Sequence, residues 1–177
     1  MITVRLALPE EYRRAGDLTV AAYEAMPIDH LWGGYDEEAR DAAARAEHGE
    51  ILVAVNDDEV VGSVMYVADA TSEWSEFTEP GEAQFRLLAV DPKAQGLGAG
   101  TALVRACTER AAADGQPLFI TTTKWLEAAH QIYTRFGFVR RPDRDAPYDV
   151  WSAGREVTWS SAWVGEPFLA YSWSASD

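Results

Sequence analysis

The sequence predicts an α/β fold with a mixed, mostly antiparallel central sheet of six to seven strands and about four helices. Three observations predict it. An apolar run at residues 85–90, broken only by Arg86, leads into a glycine-rich turn and a helical stretch, and a further strand is predicted at residues 118–122. Strand, helix and strand in that order give a parallel crossover. The apolar runs at residues 51–55 and 60–67, joined by a short polar turn, add an antiparallel hairpin before it.

The first half of the chain supplies the elements around this hairpin. Residues 2–8 alternate as a strand does, and Pro9 starts a helix that we expect to end near Met26. An alanine-rich helix is predicted at residues 36–47. Residues 68–81 form a long acidic loop, and loops of this length are often functional or mobile.

The second half of the chain predicts two helices and a last strand. The helices are predicted at residues 98–113 and 126–136, and the final strand at residues 168–173. A charged loop at residues 140–145 is expected to be solvated. The connection at residues 148–166 is rich in tryptophan. We expect those tryptophans either to pack in the core or to form an extra hairpin that walls a pocket or a homodimer contact.

Composition and charge narrow the classes of protein. The 177 residues fit one domain, residues 1–177, with 47% apolar side chains and no apolar stretch near the ~20 residues of a membrane span. The net charge of −14 argues against a nucleic-acid or membrane partner, and it fits either solubility alone or the steering of a cationic substrate. The single cysteine, Cys107, fits a small buried apolar role in a cytoplasmic protein.

Glycines alternate where the central strand turns into its helix, at Gly96, Gly98 and Gly100. The first N–H groups of a helix have no partner inside the helix, and the helix dipole favours negative charge there. The turn therefore suits a bound phosphate, although a tight connection without a ligand would use the same glycines. A dinucleotide-binding turn fits poorly, because Thr101 stands where the third glycine of G-x-G-x-x-G belongs.

Two motifs follow one another in this part of the chain. The first is QGLGAG at residues 95–100, directly after LAVDP and two further residues. The second is AHQIYTRFGF at residues 129–138, in which Ala129 and Tyr133 share one helical face and Gly137 ends the helix. Together they resemble the signatures of the GNAT superfamily of N-acetyltransferases, and the resemblance covers roughly residues 82–138.

The resemblance implies that strands four and five splay apart and that acetyl-CoA, the co-substrate, binds between them without a metal. Its pantetheine arm would pair with main-chain groups near Leu88 and Val90, and its diphosphate would lie on N–H groups of the glycine turn. The cofactor-binding residues implied in this way are Leu88, Ala89, Val90, Gln95, Gly96, Leu97, Gly98, Ala99, Gly100, Thr101 and Tyr133.

The same resemblance implies a direct attack by a small-molecule primary amine on the thioester in a ternary complex, with a main-chain amide of strand four stabilising the oxyanion. Tyr133 would donate a proton to the departing thiolate. Gln84 and Arg86 stand where relatives often carry a base, and neither can serve as one. Glu82 is therefore the candidate base, or else a solvated carboxylate at the strand end.

The acceptor side of the site is less defined by sequence. By the resemblance, Trp32 and Tyr35 are candidate substrate contacts, unless they pack under their own loop, and His130 is expected to be exposed. Two alternative functions stay open. One is a protein N-terminal or lysine acetyltransferase, which a wide groove would favour. The other is a non-catalytic CoA-binding module, which the missing base at residues 84 and 86 would favour.

Overall fold

The computed structural model describes residues 1–25, 35–147 and 166–175, which form two β-sheets covered by helices. The strands are β1 (Thr3–Leu6), β2 (Glu50–Asn56), β3 (Glu59–Val67), β4 (Gln84–Val90), β5 (Leu118–Thr122), β6 (Val139–Arg140), β7 (Ala146–Pro147) and β8 (Pro167–Trp173). The helices are α1 (Tyr12–Glu24), α2 (Tyr35–Arg40), α3 (Ala42–Ala46), α4 (Ala99–Ala113) and α5 (Glu127–Arg135).

The two sheets meet along a seam between β4 and β5. The first sheet has the antiparallel order β1-β2-β3-β4, and in the second sheet β8 lies between β5 and β6 and also pairs with β7. Within the described residues, one parallel bridge between Ala83 and Leu118 joins the sheets, and Phe119 donates its N–H to the Ala83 carbonyl oxygen at 2.9 Å. Beyond that bridge the strands part, which confirms the predicted splaying of strands four and five.

Helices cover both faces of the first sheet, so its inner strands are buried on both sides. In β2, Ile51 and Val53 pack with Leu18 of α1. Their neighbour Leu52 points the opposite way and packs with Leu103 of α4. This two-sided burial explains why β2 and β3 are continuous apolar runs in the sequence rather than alternating ones.

The helix predicted at residues 36–47 is wrong as a single element, because Asp41 divides it into α2 and α3. The Asp41 carboxylate accepts the N–H of Ala44 at 2.9 Å and so caps the start of α3. Helix α2 packs closely on α1, since a Cβ on Gly16 would lie 1.8 Å from the Arg40 carbonyl oxygen. The other predicted elements match the observed bounds to within a few residues, and the two-residue strand β7 has no counterpart in the prediction.

Buried side chains hold both charged loops against the sheets. In the acidic loop, the Gln84 side chain bonds the N–H and the carbonyl oxygen of Glu76, each at 3.0 Å, and Arg86 pairs with the Glu76 carboxylate at 2.6 Å. In the loop after β6, the Arg144 side chain is only 12% exposed and pairs with Glu82. The prediction that residues 140–145 are solvated is therefore wrong at Arg144.

Candidate active site

Strand β4 ends at the glycine-rich turn, and Asp91 fixes the approach of the chain to it. The Asp91 carboxylate accepts the N–H of Lys93 at 2.9 Å and pairs with Arg14 of α1 at 2.6 Å. The main-chain bond from Lys93, reinforced by Arg14, lowers the pKa of Asp91. Gly96 and Gly98 follow with φ of 84° and 87°, a left-handed conformation that other side chains rarely adopt.

Main-chain N–H groups at the start of α4 have no partner inside the helix. The first main-chain hydrogen bond into helix α4 runs from the N–H of Ala102 to the carbonyl oxygen of Gly98, its N-cap, at 2.9 Å. The N–H groups of the first turn before Ala102 therefore have no acceptor within the helix. A Cβ on Gly96 or Gly98 would meet nothing within 4 Å, whereas one on Gly100 would lie 3.3 Å from Ile132 of α5. This open row of donors at the positive end of a helix fits the diphosphate of coenzyme A.

A bulge interrupts β4 beside the seam. Leu87 has a φ of 53°, rare for a branched side chain, and the β3–β4 register shifts next to it. Leu87 consequently packs towards α1, whereas Leu88 and Val90 pack towards α4. After Ala83, no described strand pairs with the β4 edge that faces β5. Main-chain groups on this edge are available to a ligand, as the pantetheine expectation for residues 88–90 requires.

Tyr133 lies on α5, which packs beside the first turn of α4. Its side chain is buried, and its ring centroid lies 5.9 Å from that of Phe85, 5.5 Å from that of Phe138 and 5.8 Å from that of Tyr171. Burial raises the pKa of the Tyr133 phenol well above its ordinary value of about 10. The hydroxyl therefore stays protonated at neutral pH and has the protonation state of a proton donor.

The partners of Glu82 disfavour a role as general base. Arg144 donates to both of its carboxylate oxygens, at 2.6 and 2.9 Å, and the N–H of Glu79 donates to Oε2 at 2.7 Å. Burial alone would raise the pKa of Glu82, but these hydrogen bonds outweigh burial and lower the pKa. A carboxylate with a lowered pKa and both oxygens engaged is a weak proton acceptor.

Three further residues were expected near the substrate or cofactor, or at the surface beside them: His130, Tyr35 and Trp32. His130 is half-buried, with Nδ1 2.7 Å from the Tyr171 hydroxyl oxygen and Nε2 2.8 Å from the Thr123 carbonyl oxygen, so the expectation of an exposed His130 is wrong. Tyr35 begins α2. Trp32 and the tryptophan-rich stretch at residues 148–165 lie outside the described residues.

Sequence reasoning missed the polar side chains that end β5. The hydroxyl groups of Thr122 and Thr123 are buried and have no hydrogen-bond partner among the described residues. Two consecutive threonines at the end of an apolar strand are the signal that could have indicated them, because buried hydroxyls are normally paired. They lie where β5 leaves the sheet and leads towards α5.

Residues 1–25, 35–147 and 166–175 contain neither a candidate metal site nor a helix suited to cross a membrane. No group of three His, Cys, Asp or Glu side chains there could hold a metal ion. No helix in those ranges combines the length and the apolar composition of a membrane span.

Known proteins share this fold. The profile of the Acetyltransferase (GNAT) family matches residues 8–138. The structure of yncA from Salmonella typhimurium, solved with its cofactor acetyl-CoA, has a TM-score of 0.71 at 15% identity over 100% of this chain and 95% of that one. The ribosomal-protein-S18-alanine N-acetyltransferase from Escherichia coli has a TM-score of 0.64 at 16% identity, with 97% and 91% covered.

A longer chain from Pyrococcus horikoshii has a TM-score of 0.59 at 19% identity, and the match covers 79% of this chain and 44% of that one. No curated protein sequence matches the chain. At these identities the structural likenesses show the fold, whereas the family profile spans most of the sequence, including both motifs. The chain belongs to the GNAT acetyltransferase family, and it is an acyltransferase that uses acetyl-CoA.

Proposed function

We propose that this enzyme transfers the acetyl group of acetyl-CoA to a primary amine of a small molecule by direct attack in a ternary complex. One observation carries the proposal. The first turn of α4 and the Tyr133 turn of α5 pack together beside the parted strands, since a Cβ on Gly100 would lie 3.3 Å from Ile132. The glycine turn and the helix that carries Tyr133 thus lie together near β4, whose edge has no strand partner after Ala83 in the described residues.

The main chain does most of the binding in this proposal. The diphosphate would be held by N–H groups of the turn and of the first turn of α4, and the pantetheine arm by the free edge of β4. The proposed contacts are Leu88, Ala89, Val90, Gln95, Gly96, Leu97, Gly98, Ala99, Gly100, Thr101 and Tyr133. Acetyl-CoA supplies the thioester carbon that the amine attacks.

Tyr133 supplies the proton for the leaving thiolate. Its raised pKa keeps the phenol protonated until the carbon–sulfur bond breaks. Burial that raises the pKa of the phenol also raises the pKa of a thiol formed beside it, which offsets part of the lost acidity of the phenol.

The acceptor amine must lose a proton before it attacks. Since Glu82 is held by Arg144, we propose that this proton passes to water in the site rather than to Glu82. Amines are cationic at pH 7, and the net charge of −14 favours their approach to the protein.

The test is a panel of primary amines with acetyl-CoA, in which release of the CoA thiol is measured beside CoA affinity by calorimetry. The panel includes small amines and peptides with a free α-amino group or a lysine. We expect turnover with small amines, and Tyr133→Phe to lower kcat by about a hundredfold or more while CoA affinity changes far less.

Tyr66→Phe is the matched control, because Tyr66 is also buried in this core and its hydroxyl has no partner among the described residues. It should turn over like the parent. Turnover of peptides alone would favour a protein acetyltransferase, and tight CoA binding without any turnover would favour a CoA-binding module. A Tyr133→Phe variant as fast as the parent would overturn the role of Tyr133.

A further inference from the structure

Helix α5 is fastened to β8 by two side-chain hydrogen bonds, one on each side of Tyr133. Before Tyr133, His130 Nδ1 lies 2.7 Å from the hydroxyl oxygen of Tyr171. After it, the Trp173 indole donates to the carbonyl oxygen of Phe136 at 2.9 Å. Tyr171 and Trp173 lie on the same face of β8, because residues two apart in a strand point to the same side. Hydrogen bonds from β8 therefore hold the helical segment that carries Tyr133 both before and after that residue.

The hydrogen bonds of His130 define its tautomer. Nε2 lies 2.8 Å from the carbonyl oxygen of Thr123, and a carbonyl oxygen can only accept, so Nε2 carries a proton. In the neutral ring, Nδ1 is then the acceptor, and the Tyr171 hydroxyl donates to it. His130 thus connects the end of β5 to β8, with Nε2 as the donor to Thr123 and Nδ1 as the acceptor from Tyr171.

Arg140 packs against the ring of Tyr171 and is itself fixed by Asp145. The Arg140 guanidinium lies 5.6 Å from the centre of the Tyr171 ring and pairs with both carboxylate oxygens of Asp145, at 2.5 and 2.6 Å. Asp145 also accepts the N–H of Ala170 at 2.9 Å. The ring of Tyr171 contacts that of Tyr133, with centroids 5.8 Å apart and planes at 56°. A displaced Tyr171 would therefore move the wall against which the Tyr133 ring packs.

We propose that His130 is a positioning residue for acyl transfer, which acts as a hydrogen-bonded bridge that holds Tyr171 against Tyr133 and so fixes the direction of the Tyr133 hydroxyl. The inference rests on the proposed function of Tyr133 as proton donor. His130 does not exchange a proton with the substrate in this account. It supplies one acceptor and one donor at the correct separation, and a side chain with the same pair of groups should replace it.

The test compares His130→Gln with His130→Leu and Tyr171→Phe. Glutamine can accept from the Tyr171 hydroxyl through its amide oxygen and donate to Thr123 through its amide nitrogen, whereas leucine can do neither. We expect kcat to fall about tenfold in His130→Leu and Tyr171→Phe, with the KM for acetyl-CoA and the CoA affinity unchanged, and His130→Gln to stay within about threefold of the parent.

The matched control is His48→Leu, which removes a histidine whose Nε2 pairs with Glu73 at 2.9 Å outside this bridge. It should leave kcat unchanged. Equal loss in His130→Gln and His130→Leu would overturn the bridge, as would parent-like kcat in His130→Leu. A loss that appears in KM or CoA affinity instead of kcat would show a general structural role and would also overturn it.

A second readout does not need turnover, so it separates failure of this inference from failure of the proposed function. In protein labelled at the tyrosine Cζ carbon, the Tyr133 resonance can be assigned with Tyr133→Phe. We expect this resonance to shift in His130→Leu and Tyr171→Phe and to keep its position in His130→Gln and His48→Leu. An unmoved resonance in His130→Leu would contradict the inference even if the parent acetylated none of the amines.

Discussion

Arg144 donates hydrogen bonds to both carboxylate oxygens of Glu82, at 2.6 and 2.9 Å, across the seam between the two sheets. Arg144 also donates to the carbonyl oxygen of Phe77 at 2.9 Å, and its guanidinium carbon lies 3.7 Å from the centre of the Phe119 ring. Both side chains of the pair are about one-tenth exposed, at 12% and 11%. Since Glu82 directly precedes the bridge at Ala83, this pair closes the end of the seam where β4 and β5 are still joined.

The variant Glu82→Gln should lose stability and keep its rate. We expect the free energy of unfolding to fall by ~1–3 kcal/mol, because a buried hydrogen bond to a charged group weakens and Arg144 loses its counter-charge. Denaturant titration and kcat with the best amine measure the two effects. A variant of parent stability that had lost its turnover would instead support Glu82 as the base.

The stabilisation by Glu82 should depend on pH in a defined direction. Its pKa is lowered in the folded protein, since hydrogen bonds from Arg144 and Glu79 outweigh the opposing effect of burial. The contribution is complete above the unfolded-state pKa of about 4.3 and is lost as pH falls through the lower folded-state pKa. The difference in unfolding free energy between parent and Glu82→Gln should thus be constant above about pH 6 and shrink below about pH 4. A difference that grows on acidification would contradict this.

Alanine at Gly98 should weaken CoA binding beyond the strain that it introduces. Gly98 and Gly115 both have positive φ, 87° and 66°, and a Cβ on either meets nothing within 4 Å. Each alanine variant should therefore lose about 1–2 kcal/mol of stability from the left-handed conformation. Only Gly98→Ala adds a methyl group beside the open N–H row at the start of α4. Calorimetry should show a CoA dissociation constant raised about tenfold or more in Gly98→Ala and unchanged in Gly115→Ala; equal affinities would place the diphosphate elsewhere.

The rate of acetyl transfer should rise with pH and show no falling limb near pH 10. The rise reflects the growing fraction of unprotonated amine. Burial raises the pKa of the Tyr133 phenol well above its ordinary value, so the proton donor remains protonated through this range. A profile of kcat/KM from about pH 6 to pH 10 tests the point. A decline that begins near pH 9 and disappears in Tyr133→Phe would mean that the phenol ionises as an exposed tyrosine does.

Cys107 should be unreactive in the folded protein. The side chain is fully buried in the α4 core, and burial raises the pKa of its thiol well above the ordinary value. We expect no modification by a thiol reagent in native buffer and complete modification in denaturant, with native-state labelling no faster than unfolding. Rapid labelling of the folded protein would show an opening of the core beside α4.

Elements with a local signal were predictable from the sequence. Strand β5, Leu118–Thr122, matches the predicted residues 118–122 because an apolar run after Pro117 has one simple interpretation. The start of α4 was predictable for a similar reason, since alternating glycines permit the left-handed φ observed at Gly98. The family resemblance also rests on such contiguous stretches.

Features that depend on distant partners were not predictable in the same way. The charge of Arg144 predicts a solvent-exposed side chain. It is instead largely buried, because it pairs with Glu82, which lies 62 residues earlier in the chain. His130 bonds to Tyr171, which lies 41 residues later in the chain. The pattern of apolar residues along α5 does not indicate which strand packs against the face that carries His130. Asp41 is a different case, because a local side-chain cap competed successfully with helix propensity in an alanine-rich stretch.

The central position of β8 in the second sheet has a consequence for how the protein is made. Strands β5, β6 and β7 all pair with β8 in the described structure, yet β8 is synthesised after all three. During translation, the first sheet can form once residue 90 has been synthesised. Strand β5, in contrast, stays unpaired on its β8 side until β8 has been synthesised. A nascent chain paused before residue 167 would therefore expose an unpaired strand edge, and this stage is where a chaperone would be most useful.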